Sequence, residues 1–280
     1  MIARVMFIAA AIAAMAPCAS SAQEIGADAQ SVAMIEQIDR ALQAGRLDEA
    51  ESLLNVAEAQ PATDAHDMLS LLQAELAMAR GRPDAAARAL AALDSDRVAP
   101  CRVALVRGGV DISAGRHAEA VTALAGATVL CPDDAMLWRW RARAERGTGR
   151  YADALLSLRS ADARAPGNPA VLNDLAVALM DMGEPGEATA VLDRAIALSP
   201  ADHGLIRNRA FAEGMLGNPP LRLTGESPPA WSDRLEAAGD GAMKLGKAKL
   251  AKALYAEAMI QNPNHSPDLL RRYRAIESVK

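Results

Sequence analysis

Few side chains in this sequence could do chemistry, and their spacing sorts them quickly. Four histidines, His66, His117, His203 and His265, stand singly. No two have the spacing of metal ligands, and each reads as an exposed turn residue. There is no nucleophile elbow, no phosphate loop and no HExxH helix. Carboxylates are plentiful but distribute like the solvated faces of helices. No catalytic residue, metal-ligand set or cofactor motif is assigned, and the expectation is a chain that is not an enzyme. Two features remain: a pair of cysteines, Cys101 and Cys131, and a group of arginines centred on Arg139, Arg143 and Arg146.

What positions them is a repeat. Gly81, Gly115, Gly149, Gly183 and Gly217 are spaced by 34 residues. Ala86, Ala120, Ala154 and Ala188 follow at the same period, then Leu90, Leu124, Leu158 and Leu192, then Pro132, Pro166 and Pro200. A fixed period of this size is one supersecondary motif stacked on copies of itself. Leu172, Leu175, Ala176 and Leu179 fall on one helical face. Gly183 turns the chain, a second helix carries Ala188, Leu192, Ala195 and Ile196, and Pro200 stops it. Each hairpin buries one face alone and needs its neighbour for the rest.

The cysteines open and close one such repeat: Cys101 begins its first helix and Cys131 ends its second. The helices of a hairpin are antiparallel, so the two ends meet in space. The expectation is a structural disulfide.

The pattern resembles the tetratricopeptide repeat (TPR) family. One repeat carries the likeness through Trp138, Ala142, Gly149, Tyr151, Ala154, Leu158, Ala161 and Pro166. The next does so through Leu172, Leu175, Ala176, Leu179, Gly183, Ala188, Leu192, Ala195 and Pro200. A C-terminal copy uses Leu235, Ala238, Gly239, Ala242, Gly246, Ala251, Tyr255, Ala258 and Pro263. Gly45, Ala50, Leu54 and Ala57 mark a weaker first copy. Arg107, Arg141 and Glu145 depart from the family, which has apolar or aromatic residues there. The resemblance implies an all-α fold, a TPR superhelical solenoid of about six to seven helical hairpins with a C-terminal capping helix.

The expected boundaries are a leader at 1–22 and an array over 23–216. Its repeats lie at about 31–66, 67–100, 101–134, 135–168 and 169–202, followed by a lone first helix at 203–216. Asn218-Pro219-Pro220 and Ser227-Pro228-Pro229 interrupt the pattern, so 217–230 is expected to be an irregular connector, either a hinge or a packed degenerate repeat. The final repeat and cap fill 231–280, with Leu269, Leu270, Tyr273 and Ile276 on the buried side of the cap. All five lysines (Lys244, Lys247, Lys249, Lys252, Lys280) lie here. With Arg271, Arg272 and Arg274 they form either a solvated cap or a docking site for an acidic partner or anionic lipid.

The leader reads from Arg4, an apolar run from Val5 to Met15, and Ser20-Ser21-Ala22 before Gln23, a secretory signal with a cleavage site. It implies a bacterial periplasmic or secreted protein. Cys18 either leaves with the leader or serves as a lipoprotein site, to which Pro17 is a poor fit. The net charge of -5 supplies no global field for nucleic acid or acidic membrane.

In TPR proteins certain first-helix positions line the concave groove. Carried over, they are Arg102, Arg139, Arg143, Arg146, Asn173, Met180, Arg207 and Phe211, with Asp174 and Asn208 beside them. Arginine forks pair with carboxylates, which implies a groove for an acidic or C-terminal carboxylate-bearing peptide; the alternative is that these arginines pair with acids of neighbouring repeats. Trp140 is either an anchor or part of the packing between repeats. The expected partner is a protein or peptide of the cell envelope, with no nucleic acid, no small-molecule substrate and no cofactor. Asn173-Asp174-Leu175-Ala176 and Arg207-Asn208-Arg209-Ala210 are further similar to the TPR component of tight-adherence (Tad/Flp) pilus systems, which implies a scaffold in pilus assembly. A TPR partner in polysaccharide export or cell-wall assembly is the other reading.

Overall fold

Seven turns of one design organise the chain. Gly45, Gly81, Gly115, Gly149, Gly183, Gly217 and Gly246 have φ between 68° and 90°, a left-handed conformation that glycine adopts without steric cost. The N–H of the following residue donates to the carbonyl five positions back, as from Arg82 to Ala77 and from Lys247 to Ala242, both at 2.8 Å. That bond closes the preceding helix.

The computed structural model describes residues 29–59, 65–94, 98–262 and 267–278. The leader with Cys18, together with Pro263, His265 and Lys280, lies outside the described residues. Among those described there are 14 helices and no strand: α1 (Ala29–Gln43), α2 (Leu47–Glu58), α3 (His66–Ala79), α4 (Pro83–Ala91), α5 (Pro100–Ser113), α6 (His117–Leu130), α7 (Ala135–Gly147), α8 (Tyr151–Arg164), α9 (Pro169–Asp181), α10 (Pro185–Leu198), α11 (His203–Leu216), α12 (Pro228–Lys244), α13 (Ala248–Gln261) and α14 (Pro267–Ser278). The chain divides into two units, Met1–Ala165 and Pro166–Lys280. The division falls between α8 and α9, and the Pro-rich connector lies inside the second unit.

Three helix starts share one cap. Oδ1 of Asp134, Asn168 and Asp202 each accepts two backbone N–H groups at the head of α7, α9 and α11, the nearer at 2.8, 3.0 and 2.8 Å. Such a cap stabilises a helix by about 1 kcal/mol. These residues follow the repeat period.

In the first unit, α1 to α8 form four hairpins. The repeat alanines Ala50, Ala86, Ala120 and Ala154 are wholly buried, because a single methyl lets the two helices of a hairpin approach. Leu54, Leu90, Leu124 and Leu158 fill the space beside them. Arg107 points to solvent, next to Gly108, which lies against the Leu124 side chain. Arg141 and Glu145 replace apolar packing by a polar network. Glu145 is fully buried and accepts from Arg141 Nε at 2.9 Å and from Ser157 Oγ at 2.7 Å. Arg141 also reaches Thr128 Oγ1 at 3.3 Å. A buried carboxylate is tolerated only when its oxygens are satisfied in this way.

In the second unit the pattern changes after α11. The segment 217–227 forms no helix, and α12 begins at Pro228, whose ring fits a first helical position. Ser227 caps it from Oγ to the Ala230 N–H, at 3.4 Å. No second helix accompanies α11, so α11 packs directly on α12. The contacts advance together along both: Arg207 meets Asp233, Gly214 meets Ala238, and Met215 O accepts from Lys247 Nζ at 2.9 Å. The two helices therefore run parallel. The connector returns the chain to the start of α12 and is tied there by Arg234, which binds Glu226 at 2.9 Å and the Leu221 carbonyl at 3.0 Å.

Candidate partner-binding face

The first-helix positions of the first unit are already engaged. Arg102 forks onto Glu75 at 2.6 and 2.9 Å and reaches Asp39 at 2.7 Å. Glu75 is 1% exposed. Burial pulls the Arg102 guanidinium down, but Glu75 and Asp39 outweigh it, and its proton is held above the ordinary arginine range. Arg102 is thus an internal tie between α1, α3 and α5. Arg139 is 3% exposed and cannot present itself to a partner. Arg143 lies 5.0 Å over the Trp140 ring, and Arg143 and Arg146 both have partners within the protein. Trp140 is 7% exposed and packs over Gly109, so it belongs to the packing between repeats. Of the four arginines, Arg102 is held by two acids, Arg139 is buried, and Arg143 and Arg146 are half-buried and engaged within the protein.

Asp39 and Glu75 both stand six residues before a turn glycine. Sequence reasoning missed them, although their shared register was the available signal.

The second unit is different. Asn208 Nδ2 donates to Asn173 Oδ1 at 2.7 Å, joining α11 to α9. Asn173 is buried and Asn208 half-buried. Arg207 meets Asp233 only at 3.5 Å, with both side chains substantially exposed. Phe211 is half-buried, with Lys244 Nζ 5.9 Å from its ring centroid and Lys244 bonded to Asp181 at 2.8 Å. Arg207, Asn208 and Phe211 share one face of α11. Met180 and Asp174 are buried below it.

Cys101 and Cys131 are joined as a disulfide with their Cα atoms 6.3 Å apart, within the usual span. Cys101 follows Pro100 at the start of α5, which has no side-chain cap, and Cys131 closes α6.

The basic C-terminal residues are mostly held by the protein itself. Arg271 binds Asp268 at 2.7 Å, Arg272 binds Glu236 and Asp240, and Lys252 lies over Tyr273. Tyr255 donates to Asp240 at 2.7 Å. Leu269 is fully buried, Tyr273 and Ile276 pack beside it, and Leu270 is half-buried. Among the described residues no group of three or more His, Cys, Asp or Glu could hold a metal ion, and no helix is long and apolar enough to cross a membrane.

Two tetratricopeptide repeat family models match the chain, one over residues 105–169 and one over 146–207. No curated protein matches it. Several solved structures share the fold. PilW, a widely conserved type IV pilus biogenesis factor, superposes with a TM-score of 0.57 at 15% identity, covering 90% of this chain and 100% of that one. A tetratricopeptide repeat protein from Parabacteroides merdae gives 0.54 at 15% identity, covering 89% and 100%. The C-terminal part of a TPR repeat-containing protein from Cytophaga hutchinsonii gives 0.50 at 14% identity, covering 85% and 98%. At these identities the likeness concerns the fold alone. The family models place tetratricopeptide repeats at 105–207, and with the 34-residue period, the glycine turns and the all-helical hairpins the chain is an all-α TPR solenoid.

Proposed function

We propose that this chain is a non-enzymatic adaptor of the bacterial cell envelope that receives an extended segment of a partner protein on the first helices of its second unit. Tetratricopeptide repeats imply a protein-protein interaction scaffold.

The observation that carries it is the Asn173–Asn208 amide pair beside Arg207 and Phe211. One hydrogen bond between the two amides leaves the Asn173 amino group and the Asn208 carbonyl oxygen over. That donor and acceptor match the C=O and N–H of a peptide backbone. Phe211 offers an aromatic surface to an apolar side chain. Arg207, loosely engaged and exposed, has capacity for a carboxylate.

The envelope setting is supported by the leader pattern in residues 1–22. A role in Tad/Flp pilus assembly is supported by the sequence texture at Asn173-Asp174-Leu175-Ala176 and Arg207-Asn208-Arg209-Ala210.

The test is crosslinking and pull-down from intact cells, comparing wild type with Asn208→Ala/Phe211→Ala. Loss of a specific pilus or secretion partner, with the helical circular dichroism and thermal midpoint retained, supports the reading. An unchanged set of partners overturns it.

A further inference from the structure

Three helices of the second unit end side by side. Near their starts Asn173 meets Asn208 and Arg207 meets Asp233. Near their ends Asp181 of α9 binds Lys244 of α12 at 2.8 Å, and Met215 O of α11 accepts from Lys247 Nζ at 2.9 Å. α9, α11 and α12 therefore run the same way, and their last residues crown one end of the unit. There Met182, Leu216, Met243 and Leu245 are 39% to 46% exposed. Met182, Leu216 and Leu245 each stand directly before a turn glycine. The corresponding residues of the first unit are Ala44, Arg80, Ala114 and Thr148, so large apolar side chains at this position belong to the second unit alone.

The charge at this end is the second observation. α2, α4, α6, α8 and α10 each carry an acid in the first turn, among them Asp48, Asp84, Glu119, Asp153 and Glu187, which complements the positive end of the helix dipole. α13 carries none. Lys247 stands at its N-cap and Lys249 in its first turn, where a cation opposes the dipole. With Lys244, three of the five lysines of the chain lie within four residues of Leu245. Lys249 is exposed, Lys244 keeps solvent exposure beside Asp181, and Lys247 donates one of its three N–H groups to Met215. The exposed acids Glu184 and Glu187 follow Met182 in the chain, so Met182 marks where the basic surface gives way to an acidic one.

We propose that this end of the second unit docks on an anionic lipid surface. Leu216, Met243 and Leu245 enter the boundary between headgroups and acyl chains, and Lys244, Lys247 and Lys249 meet the lipid phosphates. Side chains carried on the tips of neighbouring turns sink together into a fluid interface, and the lysine stem lets its methylenes be covered while the ammonium stays among the headgroups. An acidic protein would account for the lysines but leave the exposed apolar tips unexplained; an anionic lipid surface accounts for both. The contact is local, since the net charge of -5 gives the chain as a whole no attraction to such a surface. Arg207, Asn208 and Phe211 take no part in it, and it stands whether or not their face binds a partner.

The experiment is cosedimentation with vesicles of phosphatidylcholine, and with vesicles of equal parts phosphatidylcholine and phosphatidylglycerol. It uses the chain from Gln23, which keeps every described residue and lacks the apolar run from Val5 to Met15. The expected result is saturable binding to the mixed vesicles only, weakened by added salt. Leu216→Gln/Leu245→Gln should weaken it at least about tenfold. Lys249→Gln should weaken it about fivefold, the effect of one basic residue at an anionic surface. Both variants should keep the helical circular dichroism and thermal midpoint of the wild type. Val129→Gln/Leu130→Gln, which changes exposed apolar residues of the first unit, should bind as the wild type does. Equal binding to both kinds of vesicle, undiminished binding by the leucine or lysine variant, or no binding at all would each overturn the proposal. So would binding to polyglutamate without binding to the mixed vesicles, which would assign the lysines to an acidic protein.

Discussion

Gly214 on α11 lies against the backbone carbonyl of Ala238 on α12. Gly241 meets the Phe211 carbonyl in the same way, so two helices touch main chain to main chain with no side chain between them. A methyl at either position would overlap a carbonyl oxygen that cannot swing aside. Gly214→Ala is expected to destabilise the second unit by about 3 kcal/mol, against a helix-propensity gain of about 1 kcal/mol that alanine would otherwise bring. Thermal unfolding reads the difference. A rise in the midpoint would mean that α11 and α12 separate freely.

Arg102 and Glu75 form a buried pair whose halves depend on each other. Arg102→Met strands the Glu75 carboxylate and should cost about 3–5 kcal/mol. The double variant Arg102→Met/Glu75→Met should recover most of that loss, since an apolar pair replaces a buried ionic one at little cost. Denaturant unfolding of the two singles and the double measures it. Additive losses would show that Arg102 acts elsewhere.

The Cys101–Cys131 bond closes a loop of 30 residues. Restricting the unfolded chain in this way contributes about 3–4 kcal/mol. Cys101→Ser/Cys131→Ser should lower the stability of the first unit by that order and leave the second unit unchanged. In a chain lacking residues 1–22, thiol titration under denaturing conditions should find no free thiol. Two free thiols would refute the bond.

Tyr255 is kept neutral, first by burial and then by the hydrogen bond and charge of Asp240, so its hydroxyl ionises above the ordinary tyrosine range. The unfolded side chain ionises near pH ~10. Below that pH its contribution to stability is constant; above it the unfolded state gains by losing the proton, and stability falls as pH rises. Tyr255→Phe should flatten this alkaline decline. Unfolding curves across about pH 9 to 11 compare the two, and parallel declines would exclude Tyr255 as the cause.

The hairpins were legible because each depends on one sharp local rule: a glycine with positive φ, a small residue at the crossing, an apolar stripe. The expected positions of Ala154, Leu158, Ala188 and Leu192 all proved buried. The end of the connector was less legible. Ser227-Pro228-Pro229 reads as a break, yet proline also suits a first helical turn, and only the cap from Ser227 marks where α12 begins. The arginines were least legible. Their positions fix which helix they occupy, but their availability depends on acids far away in sequence. Arg102 meets Asp39 63 residues back, a pairing that no window around Arg102 contains. Glu145, out of place beside the family pattern, became intelligible only when Arg141, Ser157 and Thr128 closed around it.

Asp134, Asn168 and Asp202 also make the chain divisible. Removing residues 169–202 joins Asn168 directly to His203, where Asp202 stood before, and the junction keeps a side chain able to cap the next helix. Unequal recombination between neighbouring repeats can therefore lengthen or shorten the gene by whole periods without leaving a helix uncapped. The caps stabilise single helices, and through their spacing they also make the number of repeats a heritable variable.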